Sequence, residues 1–395
     1  MVRPCVLLVL VVAATSCRKA PATGDDGGVT IGVDGWSEKA SEPFVMSAGP
    51  LPDGGFFAVG AAEAGKEWLL TVDAAGRSAE RTYDQGYIAA ATPMRDGRLA
   101  VAGVTGDGDA FVAKIDAEGR MTDRERFRGD PGSEIDAVAV DGDRIWGVGL
   151  ENPPRLGGAD GWIVGAGGGV RVDERVRAPG YPIFVAAAVA SGTLYAVGSA
   201  GSSATFHPWG VTRAADGKRS EFDRNRQPNN GAFWGAIALD DGGVGIVGRG
   251  TVNDGSDRYV TYVDFLDSKG APRLRATLPA VEGDMVGPLL RTSGGIAFAT
   301  AGGPDQVAGG GVAVVALDGR YAFAKVQGED AKLDARLIAF YPLGVDHDVV
   351  RFLRLRTKPR LGWRIDKTKL PPLVAPPPET PAADAGKPDA AKPRR

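Results

Sequence analysis

Asp53-Gly54-Gly55-Phe56-Phe57-Ala58-Val59-Gly60 returns 43 residues later as Asp96-Gly97-Arg98-Leu99-Ala100-Val101-Ala102-Gly103. The same offset carries Trp68-Leu69-Leu70-Thr71-Val72-Asp73-Ala74-Ala75-Gly76 onto Phe111-Val112-Ala113-Lys114-Ile115-Asp116-Ala117-Glu118-Gly119. Each first phrase opens on an Asp-Gly turn, which supplies the positive φ a tight hairpin needs. It continues as an apolar strand and stops at a glycine, as strands do where another backbone approaches closely. Each second phrase is a strand that opens on an aromatic residue and closes on an Asp-x-x-Gly turn. Polar stretches follow at 78–84 and 120–128 and alternate as an exposed outer strand does. Four short strands in about 45 residues is the unit of a β-propeller.

Looser copies run onward from Asp143, Gly192, Asp241 and Ser293, with a degenerate seventh from about Ala335 to Asp366. The expectation is an all-β propeller of about seven four-stranded blades over 30–368. Glycine is 58 of 395 residues without a Gly-X-Y period, which excludes collagen and fits short strands joined by turns. Long helical periodicity is absent. An open ring would expose two unpaired sheet edges. Gly32-Val33-Asp34-Gly35-Trp36 echoes Gly158-Ala159-Asp160-Gly161-Trp162, and the last repeat is short of one strand. Residues near 30–36 are therefore expected to close the ring by pairing near 349–366. From 369 to 395 the chain is rich in Pro, Ala, Asp and Lys, and reads as a disordered tail.

The first residues carry an address. Arg3 precedes the apolar run Val6 to Ala14, too short to cross about 30 Å of hydrocarbon as a helix. The run ends in Ala14-Thr15-Ser16-Cys17, which resembles the bacterial lipobox, with Ala14 where leucine is usual. That resemblance implies a signal peptide over 1–16, a diacylglycerol on Cys17, and a tether over 17–29. There are two cysteines, and Cys5 lies in the segment to be removed, so no disulfide can form within the mature chain. Removing Arg3 leaves 45 basic against 49 acidic residues, and no basic face for nucleic acid is implied. Arg18 stands where a retention aspartate would sit, which by the same resemblance favours the outer membrane.

Gly108-Asp109-Ala110-Phe111-Val112-Ala113-Lys114-Ile115-Asp116-Ala117-Glu118-Gly119 resembles the repeat of bacterial seven-bladed β-propeller proteins of the SBBP type. Gly158-Ala159-Asp160-Gly161-Trp162-Ile163-Val164 keeps half of that pattern, and other blades keep only turns and an aromatic. The resemblance implies the fold and a surface or secreted setting, without an activity.

Catalytic constellations lack raw material. The two histidines, His207 and His347, fall in different repeats, so Ser/His/Asp, Cys/His and zinc sites have almost nothing to be built from. Asp107-Gly108-Asp109 and Asp254-Gly255-Ser256-Asp257 place oxygens on short loops, but neither offers the about six ligands calcium takes, and turn chemistry accounts for both. Gly165-Ala166-Gly167-Gly168-Gly169 and Gly309-Gly310-Gly311 lack the Lys-Ser/Thr of a phosphate loop and read as loops or bends. Arg128-Gly129-Asp130 matches an adhesion tripeptide at a spacing chance supplies. Trp68, Phe111, Trp162, Trp209 and Tyr259 share one position in successive repeats. They are read as packing between blades rather than as sugar platforms.

The expectation for function is a lipid-anchored, non-catalytic scaffold of the cell envelope, without cofactor or metal, binding a protein or glycan partner and no nucleic acid. The alternative is a polysaccharide-acting lyase or hydrolase with carboxylates at the channel mouth. Cys17→Ser is expected to abolish labelling by a fatty-acid analogue and to move the protein from membrane to soluble fractions. Retention of the unlabelled variant in membranes would contradict the anchor.

Overall fold

The computed structural model describes residues 30–31, 37–39, 41–151, 159–178, 180–202, 205–223, 229–251, 259–281, 284–301, 309–327, 338–356 and 361–377. It is an all-β, propeller-like assembly of antiparallel sheets, with one 3-10 turn at Glu63–Gly65. In chain order the strands begin with β1 (Thr30–Ile31) and β2 (Ser37–Lys39). A seven-stranded sheet follows: β3 (Phe44–Pro50), β4 (Phe56–Ala62), β5 (Lys66–Val72), β6 (Ser78–Pro93), β7 (Leu99–Thr105), β8 (Ala110–Ile115) and β9 (Met121–Phe127). The next sheets have four strands each. One holds β10 (Glu134–Asp141), β11 (Arg144–Glu151), β12 (Asp160–Gly167) and β13 (Val170–Val176). Another holds β14 (Ile183–Ala190), β15 (Thr193–Ser202), β16 (Thr205–Arg213) and β17 (Arg219–Asp223). Then come β18 (Asn229–Ala238), β19 (Val244–Thr251), β20 (Tyr259–Leu266) and β21 (Pro272–Leu278). After them stand β22 (Asp284–Thr292), β23 (Gly295–Ala301), β24 (Gly309–Ala316) and β25 (Tyr321–Gln327). The last sheet is β26 (Ile338–Asp346), β27 (Val349–Arg356) and β28 (Leu361–Lys369), onto which β2 and then β1 add.

The long strand β6 serves two partners. Its first half, through Gln85, pairs with β5, and its second half, from Gly86, pairs with β7. Gly86 turns the strand at φ +136°. Counting the second half of β6 as a first strand, every unit begins with a strand whose pairing is interrupted by a bulge, and β18 carries a second irregularity between Asn229 and Ala232. The pairing skips Met46 in β3, Ala89 in β6, Asp136 in β10, Val185 in β14, Trp234 in β18 and Leu343 in β26. In β22 it skips three residues, between Val286 and Leu290.

A glycine makes room for most of these bulges. Opposite the residue just before the skipped one stand Gly60, Gly103, Gly149, Gly198 and Gly248. A Cβ at Gly149 would overlap the Glu134 carbonyl oxygen and stand 2.7 Å from the Ile135 Cα. These are the strand-ending glycines of the repeat. On their other side they face an aromatic of the third strand: Trp68, Phe111, Trp162 and Trp209. All four rings are buried, as packing between repeats requires. In the next unit the glycine's partner is Tyr262, fully buried, whose hydroxyl donates to the Ala232 carbonyl at 2.9 Å. Tyr259, assigned to this position from sequence, is instead 53% exposed. Two aromatics three residues apart both fitted the pattern, and only the register opposite Gly248 separates them.

Among the described residues, buried apolar side chains gather into clusters shared between neighbouring units. Phe57, Val59 and Leu69 pack with Val101 and Phe111, and Trp146 and Phe184 pack with Trp209. Phe56, Trp68 and Leu70 meet Leu353, Leu355 and Trp363, which joins the first unit to the last sheet. Each such side chain contributes about 1.5–3 kcal/mol on burial. The N-terminal pairing falls at Ser37–Lys39 opposite Leu361–Trp363, just beyond the expected 30–36 window, with Thr30 and Ile31 folded back on β2. Residues 32–36 lie outside the described residues.

The chain also stays attached past 368. Leu370 is buried, its N–H donates to the Asp348 carbonyl, and Val374 exchanges two backbone hydrogen bonds with Tyr321 at the start of β25. The tail expected from 369 is thus paired at least to Val374. Ending the chain after Thr368 is expected to lower stability by about 3–6 kcal/mol against a chain ended at Pro377, from one leucine and three backbone hydrogen bonds. Urea unfolding of the two chains reads the difference.

Candidate functional site

In an antiparallel four-stranded unit, the first-to-second and third-to-fourth connections lie at one end, and the others lie opposite. The first end is made of tight Asp turns. At Asp73 and Asp116 one carboxylate oxygen accepts two backbone N–H bonds, and the bond from Arg77 or Arg120 is the largest influence holding each side chain below the usual carboxylate range. The second end carries the longer connections and the bulged starts of the inner strands. It is the loop end.

Four aromatic rings are exposed among the described residues, and all stand at this end. Phe44 opens β3 and is 59% exposed, Tyr181 precedes β14, Tyr259 opens β20, and Trp234 is the bulged residue of β18 at 47% exposure. Bulges re-aim side chains and are common beside functional sites. The guanidinium of Arg249 lies 5.2 Å from the Tyr259 ring.

The bulge of β10 presents a carboxylate instead. Asp136 is flanked by Glu134 on its own strand and by Tyr87 at the start of the second half of β6. Burial, and then the Glu134 charge, push the Asp136 carboxyl up to about 8. Burial alone raises Glu134. Tyr87 is raised by burial and then by both carboxylates, which places the three side chains in one electrostatic neighbourhood. Among the described residues, no cation offsets either acid. Glu134 and Asp136 were not singled out from sequence. The available signal was the pair of acids in Glu134-Ile135-Asp136-Ala137-Val138-Ala139-Val140, a strand otherwise apolar in its first seven residues.

Farther out at the loop end, a cleft of about 260 Å³ is lined by Asp84, Gln85, Thr105, Gly106, Asp107, Arg124 and Arg126. Beneath it lies fully buried Glu67, bridged by Arg124 at 2.6 and 3.2 Å. Arg124 also reaches Asp84 at 3.0 Å and caps the Phe111 ring at 4.2 Å. Burial raises the Glu67 pKa despite the guanidinium. The same device recurs where Arg175 bridges Glu151 and lies 4.7 Å from the Trp162 ring. These ion pairs satisfy one another and hold outer strands to aromatics.

The residues weighed from sequence fall as follows. Asp107 and Asp109 pair with Arg126 at 3.2 and 3.1 Å. His207 lies in β16, and exposed His347 sits at φ +53° in the turn between β26 and β27. Gly167 to Gly169 form the hairpin between β12 and β13, all at positive φ. Gly309, Gly310 and Gly311, expected in a loop, instead begin β24, because a side chain at Gly311 would overlap the Phe323 ring. Arg128-Gly129-Asp130 precedes β10, and a Cβ at Gly129 would meet Trp162 at 2.9 Å. Cys17 and Asp254 to Asp257 lie outside the described residues. Among the described residues, no three His, Cys, Asp or Glu side chains converge as a metal site.

No family model matches the chain, and no curated protein matches it. Among solved structures it is similar to one described as the crystal structure of the mitotic checkpoint complex, with a TM-score of 0.50 and 13% identity, covering 89% of this chain and 96% of that one. It is also similar to a polysaccharide lyase, with a TM-score of 0.47 and 9% identity, covering 89% and 94%. At such identity the first likeness speaks for the propeller-like fold alone.

A carboxyl raised on folding favours the folded state while protonated and loses that contribution as pH climbs through its folded value. Asp136→Asn is therefore expected to be more stable than the parent by at least about 1 kcal/mol at pH 9, with the gap closing by about pH 3. Denaturation across that pH range tests this, and a pH-independent difference would contradict the partly buried, unpaired carboxylate.

Proposed function

We propose that this chain is a lipid-anchored, non-catalytic scaffold of the bacterial cell envelope, which binds a protein or glycan partner at its loop end. The observation that carries the reading is the placement of Phe44, Tyr181, Trp234 and Tyr259, exposed rings gathered at one end of the molecule. Exposed aromatics in company mark recognition surfaces, because they bury large areas at low entropic cost.

The scaffold is read as a closed ring of seven four-stranded blades. Supporting this are the shared strand β6, a bulge in the first strand of every unit, and the addition of β2 to β28. So does the core shared by the first unit and the last sheet. The repeat at 108–119 keeps the SBBP-type bacterial propellers as the family this chain resembles. The Ala14-Thr15-Ser16-Cys17 motif supports an anchor at Cys17 and an envelope location, with the outer membrane favoured by Arg18.

A second reading, a polysaccharide-acting enzyme, draws on Tyr87, Glu134 and Asp136. Acid–base pairs work when their surroundings drive the two pKa values apart. Here burial drives both carboxyls upward rather than apart, which counts against that reading.

The triple variant Phe44→Ala/Trp234→Ala/Tyr259→Ala is expected to lose at least tenfold in capture of its envelope partner, while Leu317→Ala at the turn end binds as the parent does. Equal capture by both variants would refute the loop end as the binding surface. Release of unsaturated or reducing sugar ends by the parent but not by Asp136→Asn would favour the enzyme.

A further inference from the structure

Charge is spread unevenly over the units. Counted from first strand to last, with β6 divided at Gly86, the first six hold 24 basic against 33 acidic residues, and none of them is net positive. The last, 338–369, holds eight basic against three acidic residues, in a chain whose net charge is −3. It is also the sheet that the N-terminal strands β1 and β2 join.

Acids do not answer all of these cations. Asp366 is shared by Arg354 at 2.6 Å and Arg364 at 3.0 Å. Toward the turn end, Arg351 on β27 and Lys367 on β28 stand directly opposite each other, and among the described residues no acid pairs with either. Like charges facing across a ladder are destabilising. Ile365, Lys367 and Lys369 share the exposed face of β28, and Lys369 pairs with Asp348 at 3.3 Å. Since β2 pairs with β28 only from Leu361 to Trp363, the edge from Arg364 to Lys369 has no outer strand among the described residues. Beyond it, Leu370 enters the core with Val326 and Phe352, and Val374 is pinned to Tyr321 by two backbone hydrogen bonds. Leu373 and Val374 are nonetheless exposed, as is Ile365. Three exposed aliphatic side chains thus flank Lys367 and Lys369 in the chain, on backbone that is held in place.

Resting on the reading that Cys17 carries a lipid, we propose that the outer rim of the last sheet docks on a bilayer surface bearing anionic phosphate headgroups. A phosphate between Arg351 and Lys367 turns a repulsive pair into two charge-assisted contacts. Ile365, Leu373 and Val374 enter the headgroup boundary as interfacial apolar residues do, with the lysines at its surface. The tether fits this placement. Cys17 precedes Thr30 by 13 residues, a length that reaches at most about 45 Å when extended. The nine residues of β28 span about 30 Å, so either end of the sheet can be brought to the membrane that holds the lipid. Lysines on an open edge also discourage strand pairing. That role requires neither the facing arginine nor the exposed aliphatic side chains.

Flotation with lipid vesicles tests this on the mature chain, from position 17 onward and carrying Cys17→Ser, so that neither signal peptide nor lipid is present. It is expected to bind phosphatidylcholine vesicles containing phosphatidylglycerol at least tenfold more tightly than vesicles of phosphatidylcholine alone. Arg351→Gln/Lys367→Gln should lose at least tenfold in that binding. Lys218→Gln/Arg219→Gln, which removes the same charge at another sheet, should bind as the parent does. Ile365→Ser/Leu373→Ser should also bind more weakly. The Arg351→Gln/Lys367→Gln chain should melt no earlier than the parent, because a facing like-charged pair is gone. Equal binding to the two kinds of vesicle, or equal loss in the two charge variants, would overturn the proposal. Displacement by inorganic phosphate at the concentration of lipid phosphate would assign the cations to the free anion and overturn the membrane assignment. If native Cys17 takes up no fatty-acid label while the unacylated chain binds the anionic vesicles, the docking surface stands and the anchor fails. If Cys17 is labelled while the unacylated chain ignores both kinds of vesicle, the anchor stands and the docking surface fails.

Discussion

The bulge in the first strand of each unit is the constraint on which the rest of the structure depends. A bulge increases both the bend and the twist of the strand that carries it. The bulged backbone swings toward the second strand, where in five units only a glycine leaves room. The glycine in turn leaves its other side open to a third-strand aromatic, which becomes the largest buried body of the unit. Bulge, glycine and ring are one device, repeated with local variation.

That device also sets what the loop end can offer. A bulged residue is released from strict alternation, so its identity is free to differ between units: Met46, Ala89, Asp136, Val185, Trp234 and Leu343. Core demands fix the neighbours, and the bulged position is where sequence variation reaches the loop end. An aspartate at one such position and a tryptophan at another are the features that distinguish this end chemically. Farther out, buried Glu67 and Glu151 are each held by an arginine that also covers an aromatic ring. Removing one partner of such a pair strands a buried charge, so these pairs specify how outer strands sit more than they add stability.

Much of this was legible in the sequence. The 43-residue offset, the Asp turns, the strand-ending glycines and the ring of aromatics follow from residue types whose backbone needs are narrow. The bulges were not legible, because an extra alanine or valine in an Ala/Val strand leaves the apolar pattern unchanged. The same blindness placed Tyr259 where Tyr262 belongs. Attachment of the tail was hidden by its composition. In Pro371-Pro372-Leu373-Val374-Ala375-Pro376 the prolines cannot donate, yet Val374 keeps both backbone groups and uses them on Tyr321. The acids at 134 and 136 stood in plain view within an apolar strand, but their meaning depended on knowing that no cation from a neighbouring strand answers them.

The dependence of the fold on the glycine opposite each bulge can be measured most directly at Gly149. Its backbone conformation suits any residue, so Gly149→Ala tests space alone, and Gly294→Ala, where an added Cβ meets nothing within 4 Å, is the matched comparison. Equilibrium unfolding should show Gly149→Ala destabilised by about 2–3 kcal/mol or more, since a Cβ there forces backbone to move. Gly294→Ala should stay within about 0.5 kcal/mol of the parent. Equal, small effects at both positions would contradict the account.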